Sequence, residues 1–202
     1  MRKSNRGSHG GSPLQFRRMY DSRVHHRRSI RLRGYDYSRS GAYAVTICTH
    51  LKQPVFGEIV EGEMVLNDVG QMVQETWEQM PNHYQGCGLE VFVVMPNHVH
   101  GIIVINPAPA VGAGPCARPS PRALPMSLTG LVHRFKSLTT ARYRQGIATR
   151  GWRAMDGKLW QRNYYEHIVR DDDELQSIRE YIATNPVRWE TDWENILGPT
   201  MD

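Results

Sequence analysis

Two histidines separated by one residue are the first candidates for chemistry in this 202-residue sequence. They are His98 and His100, with Val99 between them. If the segment is a β-strand, residues two apart point to the same face, so both imidazoles converge while Val99 points to the opposite, buried face. Imidazole binds several transition metals, and a third ligand must then come from elsewhere in the chain. The alternative is a pair of surface histidines.

A tyrosine and an asparagine near the C-terminal end form the second candidate. Tyr181 and Asn185 lie four residues apart in a segment predicted to be helical, and positions i and i+4 share one face of a helix. A tyrosine hydroxyl beside a metal-bound phosphate is a competent nucleophile, because the cation polarises the phosphoryl oxygens and helps to deprotonate the phenol. Asn185 offers a side-chain oxygen as a ligand. The alternative is a core-facing tyrosine and an asparagine that caps the helix before Pro186.

Two adjacent tyrosines compete for the role of nucleophile. Tyr164 and Tyr165 lie in a segment predicted to be extended, where neighbouring side chains point to opposite faces, so at most one of them faces the site. The spacing from Asn185 favours Tyr181, and Tyr165 remains the alternative.

The segment around these tyrosines carries other polar and aromatic side chains. Trp160 and Arg162 precede them, and this cluster either stacks on unpaired bases and holds phosphates, or contributes Trp160 and one tyrosine to the core. His167 is either a polar contact near the site or a surface residue.

Alternating strands and helices must position these residues. The order of apolar patterns is strand, hairpin, helix, strand, strand, helix, strand, helix, which predicts an α+β fold with helices packed on an antiparallel sheet. The predicted strands and hairpin arms are 42–49, 55–60, 63–66, 89–95, 99–105 and 159–169, and the predicted helices are 67–80, 127–144 and one that begins at the acidic run 171–174 and ends before Pro186.

The charge is distributed unevenly along the chain. Residues 1–33 hold ten Lys or Arg and a single acid, whereas the remainder holds fifteen bases and nineteen acids. We predict that residues 1–29 form a disordered basic arm, which either contacts phosphate backbones without regard to sequence or acts as a solubilising tail. Residues 107–126 are rich in Pro, Ala and Gly, a composition that indicates an exposed insertion. We expect residues 196–202 to form a tail.

Several classes of protein are disfavoured by composition. The sequence contains no run of about 18 apolar residues, so no membrane span is predicted. The N-terminus lacks the apolar stretch of a secretory signal. The three cysteines are odd in number and form no CxxC pair, which disfavours a disulfide framework and a zinc knuckle. We therefore expect a cytoplasmic protein with reduced thiols and no membrane partner.

Three sequence blocks together resemble a known family. They are MPNHVHGI (95–102), LWQRNYYEHIVRDDDEL (159–175) and YIATNPVRW (181–189). In their residues and spacing they are similar to the single-tyrosine HUH transposases, and most similar to the REP-associated tyrosine transposases. The resemblance covers roughly residues 29–190, and we expect a single domain of this kind over residues 30–195.

The resemblance implies a ferredoxin-like antiparallel sheet flanked by helices, with a C-terminal catalytic helix. It implies Mg²⁺ or Mn²⁺ held by His98, His100 and Asn185, and Tyr181 as the nucleophile that cleaves single-stranded DNA near a hairpin through a 5′-phosphotyrosine link. The linked strand is later transferred to another 3′-hydroxyl. Related insertion-sequence enzymes carry Gln where this chain has Asn185, which is shorter by one methylene.

Binding partners follow from the same expectations. We expect a monomer or homodimer that binds single-stranded, REP-like hairpin DNA. Two rival interpretations are a non-catalytic, domesticated hairpin-binding regulator of the same fold and an RNA-binding ferredoxin-like module with exposed aromatics on central strands, for which Phe92 is a candidate. The basic residues expected to contact the DNA backbone are Arg134, Lys136, Arg142 and Arg162.

Overall fold

The fold is given by a computed structural model that describes residues 32, 34–106, 127–155 and 157–191. The predicted basic arm (1–29), the insertion (107–126) and the tail (196–202) lie outside the described residues. The strands are β1 (Gly41–Cys48), β2 (Gly57–Val60), β3 (Glu63–Leu66), β4 (Cys87–Met95), β5 (His98–Ile105) and β6 (Tyr165–Ile168), and the helices are α1 (Asp68–Glu78), α2 (Met80–His83), α3 (Leu128–Arg150) and α4 (Asp172–Ala183).

Four strands form one antiparallel sheet in the order β4-β5-β1-β6. Helix α1 connects β1 to β4 and helix α3 connects β5 to β6, so the chain follows the β-α-β-β-α-β order of the ferredoxin-like fold. Strands β2 and β3 form a separate hairpin between β1 and α1. The predicted α+β, ferredoxin-like class is confirmed.

The two faces of the sheet pack against different helices because side chains alternate along each strand. On one face, Tyr43, Val45 and Ile47 of β1 join the main core beneath α1 and α3. On the other face, Ile102 of β5 packs in a smaller cluster with Ile178 of α4. The smaller cluster matters for function because it holds the last helix against the sheet.

Helix ends follow the capping signals in the sequence. The side-chain oxygen of Asn67 accepts hydrogen bonds from the backbone N–H groups of Val69 and Gly70 and so begins α1. Asp171 caps α4 by accepting from the N–H of Glu174. Three acidic residues in the first turn of α4 also suit the positive end of the helix dipole.

Two predicted elements have different bounds in the structure. Helix α3 continues to Arg150 instead of ending at Arg144, because Gly146 leaves room for the Trp152 ring and Gly151 adopts the left-handed conformation that ends a helix. The predicted strand at 159–169 is shortened to β6. Its first half is a loop whose carbonyls at 161–163 accept hydrogen bonds from Lys136.

Candidate active site

The two histidines lie at the start of β5, on the face of the sheet that packs against α4. Pro96 and Asn97 form the turn that joins β4 to β5, and His98 and His100 follow it on the same face of β5. Their side chains are 0% and 4% exposed, so the interpretation as surface histidines is wrong. Val99 lies in the main core, as the alternation predicts.

The imidazole rings point their Nε2 atoms at one another. These two nitrogens are 2.9 Å apart. The Nδ1 atom of His98 lies 2.7 Å from Oδ1 of Asn97, and the Nδ1 atom of His100 lies 2.7 Å from Oγ1 of Thr46. Asn97 Oδ1 can only accept, so His98 carries its proton on Nδ1 and presents a lone pair at Nε2. This is the tautomer that binds a metal through Nε2.

Burial keeps both imidazoles neutral. Desolvation lowers the pKa of His100 to about 3. It is also the main reason that the pKa of His98 lies well below its usual value, with smaller contributions from His100 and Lys52. A metal ion binds neutral imidazole, so neither ligand has to lose a proton near pH 7.

The paired nitrogens fit a divalent ion with octahedral coordination. Neighbouring ligands at about 2.1 Å from such an ion are separated by about 3 Å, which matches the Nε2–Nε2 distance. Among the described residues, no group of three or more His, Cys, Asp or Glu side chains could hold a metal ion. The imidazole pair therefore needs a further donor of another type, and a side-chain amide oxygen is one such donor.

Asn185 is the amide in question. Its side chain is 1% exposed, and within the described part of the chain its Oδ1 atom is buried without a hydrogen-bond partner. An unsatisfied buried carbonyl destabilises a fold by about 1–3 kcal/mol, and a cation would satisfy it. Thr184 occupies the C-cap position of α4, so Asn185 is not the residue that caps the helix.

Aromatic rings on both sides of Asn185 in the chain contact the two imidazoles. The Tyr181 ring meets His100 edge to face, with 5.5 Å between ring centroids. Trp189, in the 3₁₀ segment Pro186–Thr191, stacks on His98 with centroids 6.1 Å apart and planes 27° apart. The end of α4 and the segment after it therefore cover both histidines, and Tyr181 is brought to the imidazole pair.

The other tyrosines take different places. Tyr164 is buried in the main core, together with Trp160. Tyr165 pairs with Thr46 on the strand that separates it from His100, so it shares the α4 face of the sheet but its backbone lies two strands, about 10 Å, from His100. Of the two, only Tyr165 is left as a rival nucleophile, and it is farther from the histidines than Tyr181.

Two of the expected DNA-contacting cations have partners inside the fold. Lys136 donates to backbone carbonyls of the loop before β6, and burial lowers its pKa to about 8. Arg142 donates to Thr76 Oγ1 and Gln79 Oε1 and so ties α3 to α1. Arg134 is exposed and lies over the Tyr84 ring, and Arg162 is exposed in the loop at residues 157–164.

Three residues that surround the imidazole pair were not predicted from the sequence. Thr46 had a signal, because it is a polar residue at a strand position whose neighbours are apolar. Asn97 had one too, because it directly precedes His98 and a ligating histidine usually gives its second nitrogen to an oxygen. Trp189 gave no signal, since its contact with His98 depends on the turn that follows α4.

Phe92 does not behave as an RNA-binding aromatic. It lies on β4, which is an edge strand and not a central one. Its ring stacks on Trp77 of α1 at 4.4 Å between centroids, and it is packed against the main core. The expectation of a central, exposed aromatic at this position was wrong.

Comparison with known proteins agrees with this architecture. The family described as IS200-like transposase matches residues 123–185. An uncharacterised protein of Haemophilus influenzae is 40% identical over 177 residues, which is 86% of this chain and 95% of the relative. The chain belongs to the IS200-like transposase family, which supports a transposase role.

A solved structure supports the same fold. A REP-associated tyrosine transposase bound to a REP hairpin superposes with a TM-score of 0.50 at 16% identity, over 79% of this chain and 73% of that one. A candidate transposase from Deinococcus radiodurans matches with a TM-score of 0.42 and 19% identity, over 76% of this chain and 95% of that one.

In the described ranges, no helix combines the length and apolar character needed to cross a membrane.

Proposed function

We propose that this protein is a Mg²⁺- or Mn²⁺-dependent transposase that cleaves and rejoins single-stranded DNA near a hairpin through Tyr181. The observation that carries the proposal is the meeting of Tyr181 with a buried imidazole pair. The Tyr181 ring lies 5.5 Å from that of His100, whose Nε2 lies 2.9 Å from that of His98. Metal-ligating nitrogens beside a phenol are the groups that phosphoryl transfer to tyrosine requires.

His98, His100 and Asn185 would hold the ion. When bound, the cation would polarise the scissile phosphate and offset its negative charge. With the ion bound, Asn97 Oδ1 and Thr46 Oγ1 would orient the two rings by accepting hydrogen bonds from their Nδ1–H groups.

Tyr181 performs the covalent step. Its oxygen attacks phosphorus in line, the bond from phosphorus to the 3′-oxygen breaks, and the electron pair leaves with that oxygen, which takes up a proton. The phenol proton passes to solvent. In the second step a 3′-hydroxyl attacks the phosphotyrosine and releases Tyr181, so no external energy source is needed.

DNA contacts are part of the same proposal. A structure similar in fold is a REP-associated tyrosine transposase bound to a REP hairpin, and we infer a REP-like single-stranded hairpin as substrate here. Arg162 and Arg134 are the exposed cations proposed to contact its backbone. A cytoplasmic location and a monomeric or homodimeric state remain predictions.

An adduct assay tests the proposal. Purified protein is incubated with a labelled single-stranded hairpin oligonucleotide and Mn²⁺, and a DNA–protein adduct that survives SDS is measured. We expect the wild type to form the adduct, and we expect EDTA, Tyr181→Phe or His98→Ala to abolish it. Tyr165→Phe is the matched control and is expected to form the adduct at the wild-type level.

Other outcomes would identify the rival functions. An adduct that persists in Tyr181→Phe and disappears in Tyr165→Phe would move the nucleophile to β6. Tight hairpin binding by the wild type, without an adduct under any metal condition, would instead indicate the non-catalytic regulator.

A further inference from the structure

The positive charge of the folded domain is concentrated in one segment of the chain. Residues 127–163, which comprise α3 and the loop before β6, hold eight Lys or Arg and a single acid. Residues 34–106 hold two bases and eight acids, and residues 164–191 hold three bases and seven acids. A DNA backbone is therefore attracted to the first of these segments and repelled by the other two.

The loop between α3 and β6 lies at the end of the sheet that carries the histidine pair. Two backbone hydrogen bonds, of 3.0 and 2.9 Å, join residues 159–161 to residues 48–50 at the end of β1. The last residue of β1 pairs with His98. Lys158 and Arg162 are exposed and flank the attached part of the loop. Two cations therefore adjoin the end of the sheet where the candidate site lies.

The inner side of this loop is fixed to α3. Trp160 is 4% exposed, and its indole N–H donates to Thr139 Oγ1 at 2.8 Å. The Lys136 ammonium donates to the backbone carbonyls of Gln161 and Arg162, at 2.5 and 3.2 Å. Because these bonds hold the loop backbone in place, little of it has to be ordered when a ligand binds to its outer side.

The end of α3 brings further cations to the same end of the sheet. Trp152 and Arg153 line a cleft together with Val55, whose backbone N–H donates to the carbonyl of Pro96 at 2.8 Å, in the turn before β5. The Arg150 guanidinium lies over the Trp152 ring, 5.7 Å from its centroid. We define the cationic surface by four exposed residues of this region: Arg150, Arg153, Lys158 and Arg162.

The aromatic rings beside the cationic surface are already used inside the fold. Trp160 and Tyr164 are 4% and 6% exposed. Trp152 is partly exposed, but it packs between Arg150 and Tyr143, whose ring centroid is 6.2 Å away. Surfaces that bind single strands combine positive charge with rings on which bases stack. Positive charge without exposed rings, in the described part of residues 150–164, instead favours the backbone of a duplex.

We infer that the cationic surface binds the phosphate backbone of the double-stranded stem of the hairpin, and that the strand leaving the stem enters the histidine site. The inference rests on the proposed function, which supplies the hairpin as substrate. Contacts of Arg and Lys with phosphates are independent of base sequence and weaken as salt is added. A stem held at this end of the sheet orients the adjoining single strand for attack by Tyr181.

Equilibrium binding of DNA in EDTA, where no cleavage is expected, tests this role. Fluorescence anisotropy compares a labelled hairpin that carries a single-stranded extension with an unpaired oligonucleotide of the same length. We expect Arg153→Gln, Lys158→Gln and Arg162→Gln each to reduce the slope of log affinity against log salt for the hairpin by about 1, and the triple variant by about 3. Binding of the unpaired oligonucleotide should be nearly unchanged.

Arg39→Gln is the matched control for each single variant. It removes an equal charge from an exposed position before the opposite end of β1, and its affinity for the hairpin should equal that of the wild type. All the substituted side chains are exposed, so we expect every variant to keep the wild-type melting temperature.

The outcomes separate this inference from the proposed function. Equal losses of affinity for the hairpin and for the unpaired oligonucleotide would show that the cationic surface follows a single strand, and would refute the inference. Unchanged hairpin binding by the triple variant would place the stem elsewhere, while an adduct formed by the wild type would still support the proposed function. Stem-dependent binding through these residues, with no adduct from the wild type, would refute the proposed catalysis and assign the surface to a non-catalytic hairpin-binding regulator.

Discussion

At the scale of single residues, the candidate site depends on side chains that orient the imidazoles as much as on the imidazoles themselves. In the arrangement observed, the Nδ1–H group of His98 donates a hydrogen bond to Asn97 Oδ1. The proton between the two Nε2 atoms therefore belongs to His100, and the Thr46 hydroxyl donates to Nδ1 of His100. To bind a metal through Nε2, His100 must move its proton to Nδ1 and donate it to Thr46. The Thr46 hydroxyl can serve both tautomers because it can donate or accept.

Replacing Thr46 should therefore weaken metal binding. We expect Thr46→Val, which keeps the shape and removes the hydroxyl, to reduce Mn²⁺ affinity by about 10- to 100-fold, the usual cost of losing such an orienting partner. Isothermal titration of Mn²⁺ measures this directly. Thr149→Val, at an exposed position on α3, is the control. Equal affinity of Thr46→Val and wild type would mean that the hydroxyl does not orient His100.

At the scale of elements, the described contacts attach helix α4 to the sheet by a small apolar cluster and two polar side-chain pairs. Ile178 and Ile182 pack on Ile102, separately from the main core on the other face. The pair Arg179–Glu90 links the helix to the β4 edge, and His167–Glu174 links its first turn to β6, which gives His167 a structural role. Partly exposed ion pairs contribute little, so the apolar cluster is the main source of attachment.

Because α4 packs on its own apolar cluster, we expect a cavity beneath this helix to destabilise α4 more than the rest of the fold. Ile178→Ala should destabilise the packing of α4 by about 3 kcal/mol. Because its cluster is separate from the main core, amide hydrogen exchange should accelerate mainly in α4. Leu131→Ala, a buried position of α3 in the main core, is the comparison and should accelerate exchange throughout the sheet. Uniform acceleration in Ile178→Ala would show that α4 does not open independently.

At the scale of the whole molecule, the buried histidines couple folding to pH. His98 and His100 stay uncharged in the fold because burial lowers their pKa values, to about 3 for His100. In the unfolded chain their pKa values return to about 6.5. Below that pH the unfolded state binds more protons than the folded state, so the stability present above pH 6.5 is lost progressively as the pH falls toward 3.

Denaturant unfolding at two pH values tests this coupling. We expect the free energy of unfolding to be about 2–3 kcal/mol lower at pH 5.5 than at pH 7.5, from the two histidines together. The double variant His98→Gln/His100→Gln should lose most of this difference, whereas His133→Gln, at an exposed position, should retain it. An unchanged pH dependence in the double variant would mean that the imidazoles do not titrate below their usual range.

The order of elements and the pairing of the two histidines follow from local patterns in the sequence. Alternation of apolar residues identified the strands, and the residues Asn67 and Asp171 marked where α1 and α4 begin, because these signals act between neighbours in the chain. The spacing of His98 and His100 was enough to place both imidazoles on one face, because a strand imposes a period of two. The separation of Tyr164 from Tyr165 followed from the same rule.

The surroundings of those histidines depend on tertiary contacts that local patterns do not specify. Thr46 and Trp189 are far from them in sequence, and strand register and the turn after α4 bring them within contact distance. Burial decided the protonation state, since the histidines are neutral because of the helix packed over them. Lys136 is a further example. Its sequence position suggests an exposed cation, whereas the fold places its ammonium against the backbone carbonyls of the loop before β6. Pairing, burial and desolvation depend on atoms that sequence spacing does not specify.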